Sequence, residues 1–208
     1  MSPNDWEECF LLHQRSYGDT SIIAEIFTRK SGKMSVIARG AKKPKSKFFG
    51  YLVPFSKLQI TYSGRSELKT LTNIDRDLSL VDNNLSKKSY SLLYINELMI
   101  KLLPKDAANE DLFNLYSNFI EASVKEVDMR FLLRSFELDL LDMLGYGINF
   151  QTDIDAHEPI EAALDYIFIA ERGFKTSNKY SDFSGQDIID IRNRNLINVS
   201  SNKLKQLT

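Results

Sequence analysis

Between Ile26 and Ser66 the chain carries ten Lys or Arg residues and no Asp or Glu. They are Arg29, Lys30, Lys33, Arg39, Lys42, Lys43, Lys45, Lys47, Lys57 and Arg65. Of the 27 basic residues in the protein, 17 are left to face all 28 acidic ones elsewhere, although the whole chain is nearly neutral at −1. Like charges held close repel, so folded surfaces usually intersperse signs. A local excess of this kind suits a polyanion. The competing reading is a solvated, Lys-rich loop. In the densest part, Gly40-Ala41-Lys42-Lys43-Pro44-Lys45-Ser46-Lys47, Gly and Pro favour an irregular path over a helix. Such a loop can follow phosphates without reading bases. Phe48, Phe49 and Tyr51 follow at once, and aromatic rings beside cations can stack on unpaired bases. Phe48 is the ring expected to be partly exposed, with Phe49 and Tyr51 filling the end of a barrel.

A second pair of cations has helical spacing. Arg130 and Arg134 are four apart and share one helix face, bordered by Phe131 and Leu138. Two guanidiniums beside apolar groups could hold an acidic, Phe-containing peptide end. Equally, Arg134 could pair with Glu137 along the helix.

Enzyme chemistry finds little support. Gly32-Lys33 has no Gly five residues upstream and Met34 follows it, so this is not a phosphate-binding Walker loop. No Gly-x-Ser-x-Gly, His-x-x-x-His or Cys-x-x-Cys occurs. Cys9 is the only cysteine, which rules out an internal disulfide or a Cys-based zinc site within this chain. His13 and His157 are far apart, and His13 in its apolar run reads as a hydrogen-bonded structural residue. Asp139, Asp142, Asp153 and Asp155 leave open a metal-dependent nuclease, but no motif singles them out. A third possibility is an adaptor whose basic loop meets an acidic protein. No cofactor is expected. No apolar run approaches the ~20 residues needed to span a bilayer, and the start lacks a signal-peptide core. A cytoplasmic, nucleoid-associated protein is expected.

The elements that would position these groups change character near residue 80. Residues 8–14, 21–28, 33–39, 58–62 and 67–74 read as strands, with Met34, Val36 and Ala38 on one side of the third. Five short strands suggest a small closed barrel. From Leu85 to Leu144 three Leu-rich helical faces follow, the first stopped by Pro104 and the third, 131–144, by Gly145. In the third, Leu132, Leu133, Phe136, Leu140, Leu141 and Leu144 are expected to face inward. Residues 166–169 and 174–176 read as a hairpin, and Ser184 as the cap of a helix over 186–192. The polar tail from Asn193 gives no clear signal. The expected class is therefore α+β: a barrel over residues 1–80, then a mainly helical part with a small β hairpin over 81–208. The charge divides the same way, 13 basic to 8 acidic residues before the boundary and 14 to 20 after it.

Short motifs in this order and spacing carry a family likeness. They are Tyr17-Gly18-Asp19-Thr20-Ser21, Arg39-Gly40-Ala41-Lys42-Lys43, Pro54-Phe55 and Gly64-Arg65-Ser66-Glu67-Leu68-Lys69-Thr70-Leu71. Tyr94-Ile95-Asn96-Glu97-Leu98 and Arg134-Ser135-Phe136-Glu137, leading to Leu144-Gly145-Tyr146-Gly147, continue the series. Over nearly its whole length the chain resembles the RecO family of bacterial recombination mediators. The resemblance implies an OB-fold barrel, binding of single- and double-stranded DNA, and annealing of complementary strands. It implies loading of RecA onto strands coated by single-strand-binding protein, with RecR as a partner and no enzymatic turnover. The candidate DNA contacts are Arg15, Tyr17, Lys30, Lys33, Arg39, Lys42, Lys43, Lys45, Lys47, Phe48, Arg65 and Lys69. The candidate seat for the acidic tail of single-strand-binding protein is Arg130, Phe131, Arg134 and Leu138. Many relatives carry a four-cysteine zinc site. Here Asp153 and Thr176-Ser177-Asn178-Lys179 stand in that region, so the chain looks like the zinc-free branch. The likeness also implies a further helical stretch after 184–192, so the helical part is expected to be truncated at Thr208 or naturally short.

Overall fold

The structure, a computed structural model, describes residues 5–76, 85–125 and 127–208, with backbone only for 85–89. The expected 80/81 boundary lies outside the described residues. Five strands form a closed barrel in the order β1-β2-β3-β5-β4: β1 (Glu7–Tyr17), β2 (Ser21–Thr28), β3 (Gly32–Ala38), β4 (Lys57–Ser63) and β5 (Leu68–Arg76). All pairs are antiparallel except β3 with β5. Alternate residues point inward, because a strand turns successive side chains to opposite faces. Cys9, Leu11, Ala24, Ile26, Met34, Val36, Leu58, Ile60 and Leu71 thus build one dry interior.

The outside of β1 and β2 is apolar too, and this explains the two helices that follow. α1 (Leu85–Leu102) packs on β1, and α2 (Glu110–Ser123) sets Phe113 and Tyr116 against Phe10 and Phe27. Each fully buried ring of this kind contributes about 1.5–3 kcal/mol of burial. A bulge between Leu11 and His13 frees a backbone carbonyl. Asn96 of α1 donates to the Leu12 carbonyl at 2.8 Å, and the Tyr116 hydroxyl donates to Asn96 Oδ1 at 2.5 Å. The bulge also turns His13 to solvent, against the expectation of a structural histidine. Met1–Glu126 accordingly forms one compact unit and Val127–Thr208 a second. The β2–β3 turn fits closely here: Gly32 has φ +75°, and a Cβ at this position would meet the Ala107 carbonyl oxygen at 2.1 Å.

The second unit begins with α3 (Met129–Met143), whose N-cap Asp128 accepts from the Arg130 amide. Gly145, at φ +83°, follows its end. β6 (Asp165–Ile169) and β7 (Gly173–Thr176) make the expected hairpin, and β8 (Phe183–Ser184) adds a third strand on the other side of β6. α4 (Gly185–Arg192) starts with a reciprocal cap between Ser184 and Asp187. The tail beyond Asn193 is structured: a 3₁₀ turn (Leu196–Asn198) and α5 (Ser201–Leu207) send Leu196, Val199, Leu204 and Leu207 into the core of this unit. That tail escaped the sequence reading because its apolar residues are too widely spaced to mark a periodic face. In α3, Phe136 and Leu140 are buried as expected, while Leu132, Leu133, Leu141 and Leu144 are only half-buried.

Candidate nucleic-acid interface

Strand direction decides which basic residues meet. β1, β3 and β5 run towards one end of the barrel, and β2 and β4 start from it. Tyr17, Ala38 and Arg76 therefore share that end with Ser21 and Lys57. The connection from β3 to β4, residues 39–56, stays there and covers it. It does so through consecutive tight turns: the Lys43 amide donates to Gly40 at 2.9 Å, Ser46 to Lys43 at 2.9 Å, and Phe49 to Ser46 at 3.1 Å. The Lys42 amide donates to Thr20 at 2.9 Å and ties this cap to the β1–β2 turn. Ala41, Phe48 and Leu52 point down and plug the barrel interior.

With those residues facing inward, the polar ones face out. Arg39, Lys43, Lys45 and Lys47 are exposed and Lys42 is half-buried. Lys42 Nζ donates to the Gly18 carbonyl at 3.0 Å and Lys47 Nζ to Asn73 Oδ1 at 3.0 Å, both uncharged acceptors. None of the five has a carboxylate partner among the described residues. Arg15 and Tyr17 are exposed on the last turns of β1, at the same end. Among the described residues, Asp19 and Asp75 are the acids nearest in sequence to these strand ends. The result is a cationic surface held in place by its own buried underside.

Several expected contacts do not belong to it. Phe48 is 7% exposed, whereas Phe49 is 51% and Tyr51 37% exposed, the reverse of the expectation. Neighbouring residues in a chain of turns alternate between plug and surface, and only the turn register says which is which. Lys33 is buried: its ammonium donates to the Ile100 carbonyl of α1. Burial pushes its pKa down, with Lys105 adding repulsion against an opposing pull from Glu25. It cannot meet a phosphate without leaving that site. Lys30 and Arg65 are exposed, but in the turns at the opposite end of the barrel. Lys69 is half-buried beside Val36 in the parallel pairing of β5 with β3. Arg29 and Lys57 are neutralised by Glu8 at 2.7 and 3.3 Å, and Arg29 further by Glu110 at 2.9 Å. Burial alone would raise the Glu8 pKa, but hydrogen bonds from Arg29 and Lys57 outweigh it and lower it.

The second candidate site is only partly assembled. Arg130, Leu133 and Arg134 of α3 line a cavity of about 160 Å³ with Ser201, Leu204 and Lys205 of α5. Leu138 is not part of it: at 2% exposed it lies in the core of the unit. Phe131 lines a different hollow with Leu132, Ser135 and Leu196. Arg134 donates to Glu137 at 2.5 Å and also to the Thr208 hydroxyl, and Glu137 is 3% exposed. The intrahelical pairing weighed from sequence is therefore present. Arg130 pairs with Asp128 at 2.7 Å but is far more exposed. Lys205 was missed because α5 itself was not legible.

The acids weighed for a metal are engaged otherwise. Arg194 holds Asp139 at 2.8 Å and Asp142 at 2.7 Å. Asp153, 3% exposed, accepts from the amides of Asp155 (2.7 Å), Ala156 (2.8 Å) and Thr176 (2.6 Å) and from the Thr176 hydroxyl (2.6 Å). Burial opposes its charge, yet these donors win and hold the carboxyl well below its usual range. Among the described residues no group of three or more His, Cys, Asp or Glu is placed to hold a metal. No helix among them is long and apolar enough to cross a membrane.

Comparison with known proteins covers both units but divides the chain elsewhere, between residues 76 and 86. The family model described as Recombination protein O N terminal matches residues 1–76, and that described as Recombination protein O C terminal matches 86–204. A DNA repair protein RecO from Psychromonas ingrahamii is 35% identical over 193 residues, 91% of this chain and 82% of the relative. One from Hamiltonella defensa is 39% identical over 171 residues, 81% and 72% of the two chains. One from Tolumonas auensis is 38% identical over 194 residues, 92% and 81%.

Proposed function

The chain belongs to the RecO family, and from that premise we propose that it is a non-enzymatic DNA-binding recombination mediator in DNA repair. It binds single- and double-stranded DNA through the cap of its barrel, anneals complementary strands and helps load RecA onto strands coated by single-strand-binding protein. The observation that carries this reading is the cap: Arg39, Lys42, Lys43, Lys45 and Lys47 lie on one barrel end without carboxylate partners among the described residues. Cations kept apart from acids repel one another, and a polyanion relieves that repulsion while releasing its own counterions. Contacts of this kind do not depend on base sequence, which annealing of arbitrary strands requires.

RecR and the tail of single-strand-binding protein are the proposed protein partners. For the tail, the supporting feature is the small cavity between α3 and α5. Arg130 and Lys205 offer cations to a terminal carboxylate, and Leu133 and Leu204 offer an apolar floor. Arg134 stands behind them, oriented by Glu137.

The direct test is annealing of complementary oligonucleotides, bare and coated with single-strand-binding protein, followed at increasing salt. Faster annealing on both substrates, weakening as salt rises, is the expected result. No acceleration on either would remove the mediator reading, and Mg²⁺-dependent cleavage of the labelled strand would replace it with a nuclease.

A further inference from the structure

Phe49 and Tyr51 are large rings that the fold leaves in solvent at the most cationic place on the barrel. Their neighbours Phe48 and Leu52 satisfy the core, so neither exposed ring is needed to plug it. Together with Gly50, Asp75 and Arg76 they line an open cavity of about 360 Å³, at the small end of the range for small-ligand sites. Gly50, at φ +75°, reverses the chain between the two rings and has nothing within 4 Å of where a Cβ would be, so the space beside them stays open. The rest of the lining is polar: Asp75 Oδ1 accepts from the Arg76 backbone amide at 2.8 Å, which fixes the carboxylate.

We infer that this cavity is a seat for one unpaired nucleobase, an inference that rests on the DNA-binding reading above and deepens it. A base offers a π-face to Phe49 or Tyr51 and a donor–acceptor edge to Asp75 and Arg76. Its phosphates continue over Lys47 and Lys45, two and four residues before Phe49 in the same cap. Charge complementarity selects this occupant over an apolar peptide, because Arg76 lines the cavity and the exposed Lys45 and Lys47 precede the rings in the same cap. The seat distinguishes strands: a paired base is stacked on both faces and cannot enter, while an unpaired one can. The cap thereby holds a single strand by two independent means, phosphates by charge and bases by stacking, with only the first available to a duplex.

The test compares wild type with Phe49→Leu and Tyr51→Leu, singly and together, in the full chain. Leucine keeps apolar bulk without a π-face, and thermal unfolding of each variant checks that the barrel is intact. The probes are a fluorescein-labelled single strand, the corresponding duplex, and a single strand carrying 2-aminopurine. The expected result is a loss of about 5- to 150-fold in single-strand affinity per stacking ring, with duplex affinity and the salt slope unchanged. Quenching of 2-aminopurine on binding should fall with it, and Phe49→Trp should restore both. Equal losses on single strand and duplex, or wild-type single-strand affinity in the double variant, would overturn the base seat while leaving DNA binding by the cap in place. A wild-type protein that binds neither probe would overturn the DNA reading itself, and the seat with it.

Discussion

The cap of the barrel and the α3–α5 face both carry clustered cations, and they treat them in opposite ways. In the cap, Arg39, Lys43, Lys45 and Lys47 stand in water, and the hydrogen bonds of Lys42 and Lys47 go to neutral acceptors. In the C-terminal unit most cations are matched, among them Arg134 with Glu137, Arg194 with Asp139 and Asp142, Lys203 with Asp187, and Lys175 with Asp155. Matched charges orient the chain and gain little from a further anion, because their partner already supplies it. Unmatched ones repel each other until a ligand arrives. A basic residue is therefore evidence of polyanion binding only when its own fold has not already answered it. Lys33 makes the same point inside the basic stretch, since its ammonium is taken up by a backbone carbonyl.

Breaking the cap should have the largest effect. Changing Lys42, Lys43, Lys45 and Lys47 together to Ala is expected to weaken oligonucleotide binding by about 100-fold at low salt, taking a fraction of a kcal/mol for each exposed ion pair. The salt slope on single strands should fall by up to about 0.7 per lost contact. Thermal unfolding should hardly move, because three of these side chains are exposed and Lys42, half-buried, gives up one hydrogen bond to a carbonyl. An unchanged slope would make the cap a solvated surface.

Next comes a buried charge held by neutral donors alone. Asp153→Ala removes a buried acceptor from four donors and leaves them unpaired, and should destabilise the C-terminal unit by about 3 kcal/mol. The pH dependence follows from the depressed pKa of this carboxyl. Its contribution is fully present above the unfolded value of about 4 and is lost as the pH falls below that towards the folded value. Wild type should lose this stability in acid, whereas the variant should show a flatter profile over the same window. Equal slopes in denaturation series at several pH values would contradict the assignment. A chelator should leave thermal unfolding unchanged at neutral pH, since Asp153 is held to Thr176 by hydrogen bonds that it accepts, and no cluster of metal-ligating side chains is placed among the described residues.

The two arginines of α3 sharpen the contrast within one helix. Arg134→Ala leaves the buried Glu137 without its cation and should cost about 2 kcal/mol of stability, with Glu137→Gln in the same chain recovering part of it. Arg130→Ala should leave stability alone and weaken binding of an acidic, Phe-ended peptide several-fold in a titration. If both variants lose only peptide binding, Arg134 is a direct contact and its pairing is incidental. The smallest effect is expected from Lys33→Met: no change in DNA affinity or salt slope, measured beside the cap variant. A lowered slope would mean that this lysine leaves its buried site to meet DNA.

What the amino-acid sequence determined by itself was the pattern-bearing part of the molecule. The Ile-rich run 21–28 and the alternation of Met34, Val36 and Ala38 in 33–39 impose strands, and Ser184 with Asp187 imposes a helix start, because these signals act over a few neighbouring residues. The run of cations without acids was legible for the same reason, as was the family likeness. Which cations stay free was decided by tertiary structure, since that depends on partners far along the chain: Ile100 for Lys33, Glu8 and Glu110 for Arg29. The exchange of Phe48 for Phe49 as the buried ring has a similar origin. Turns without a repeating period give no sign of which residue points inward, and only the closed barrel beneath them, with room for Ala41, Phe48 and Leu52 at its open end, makes the choice.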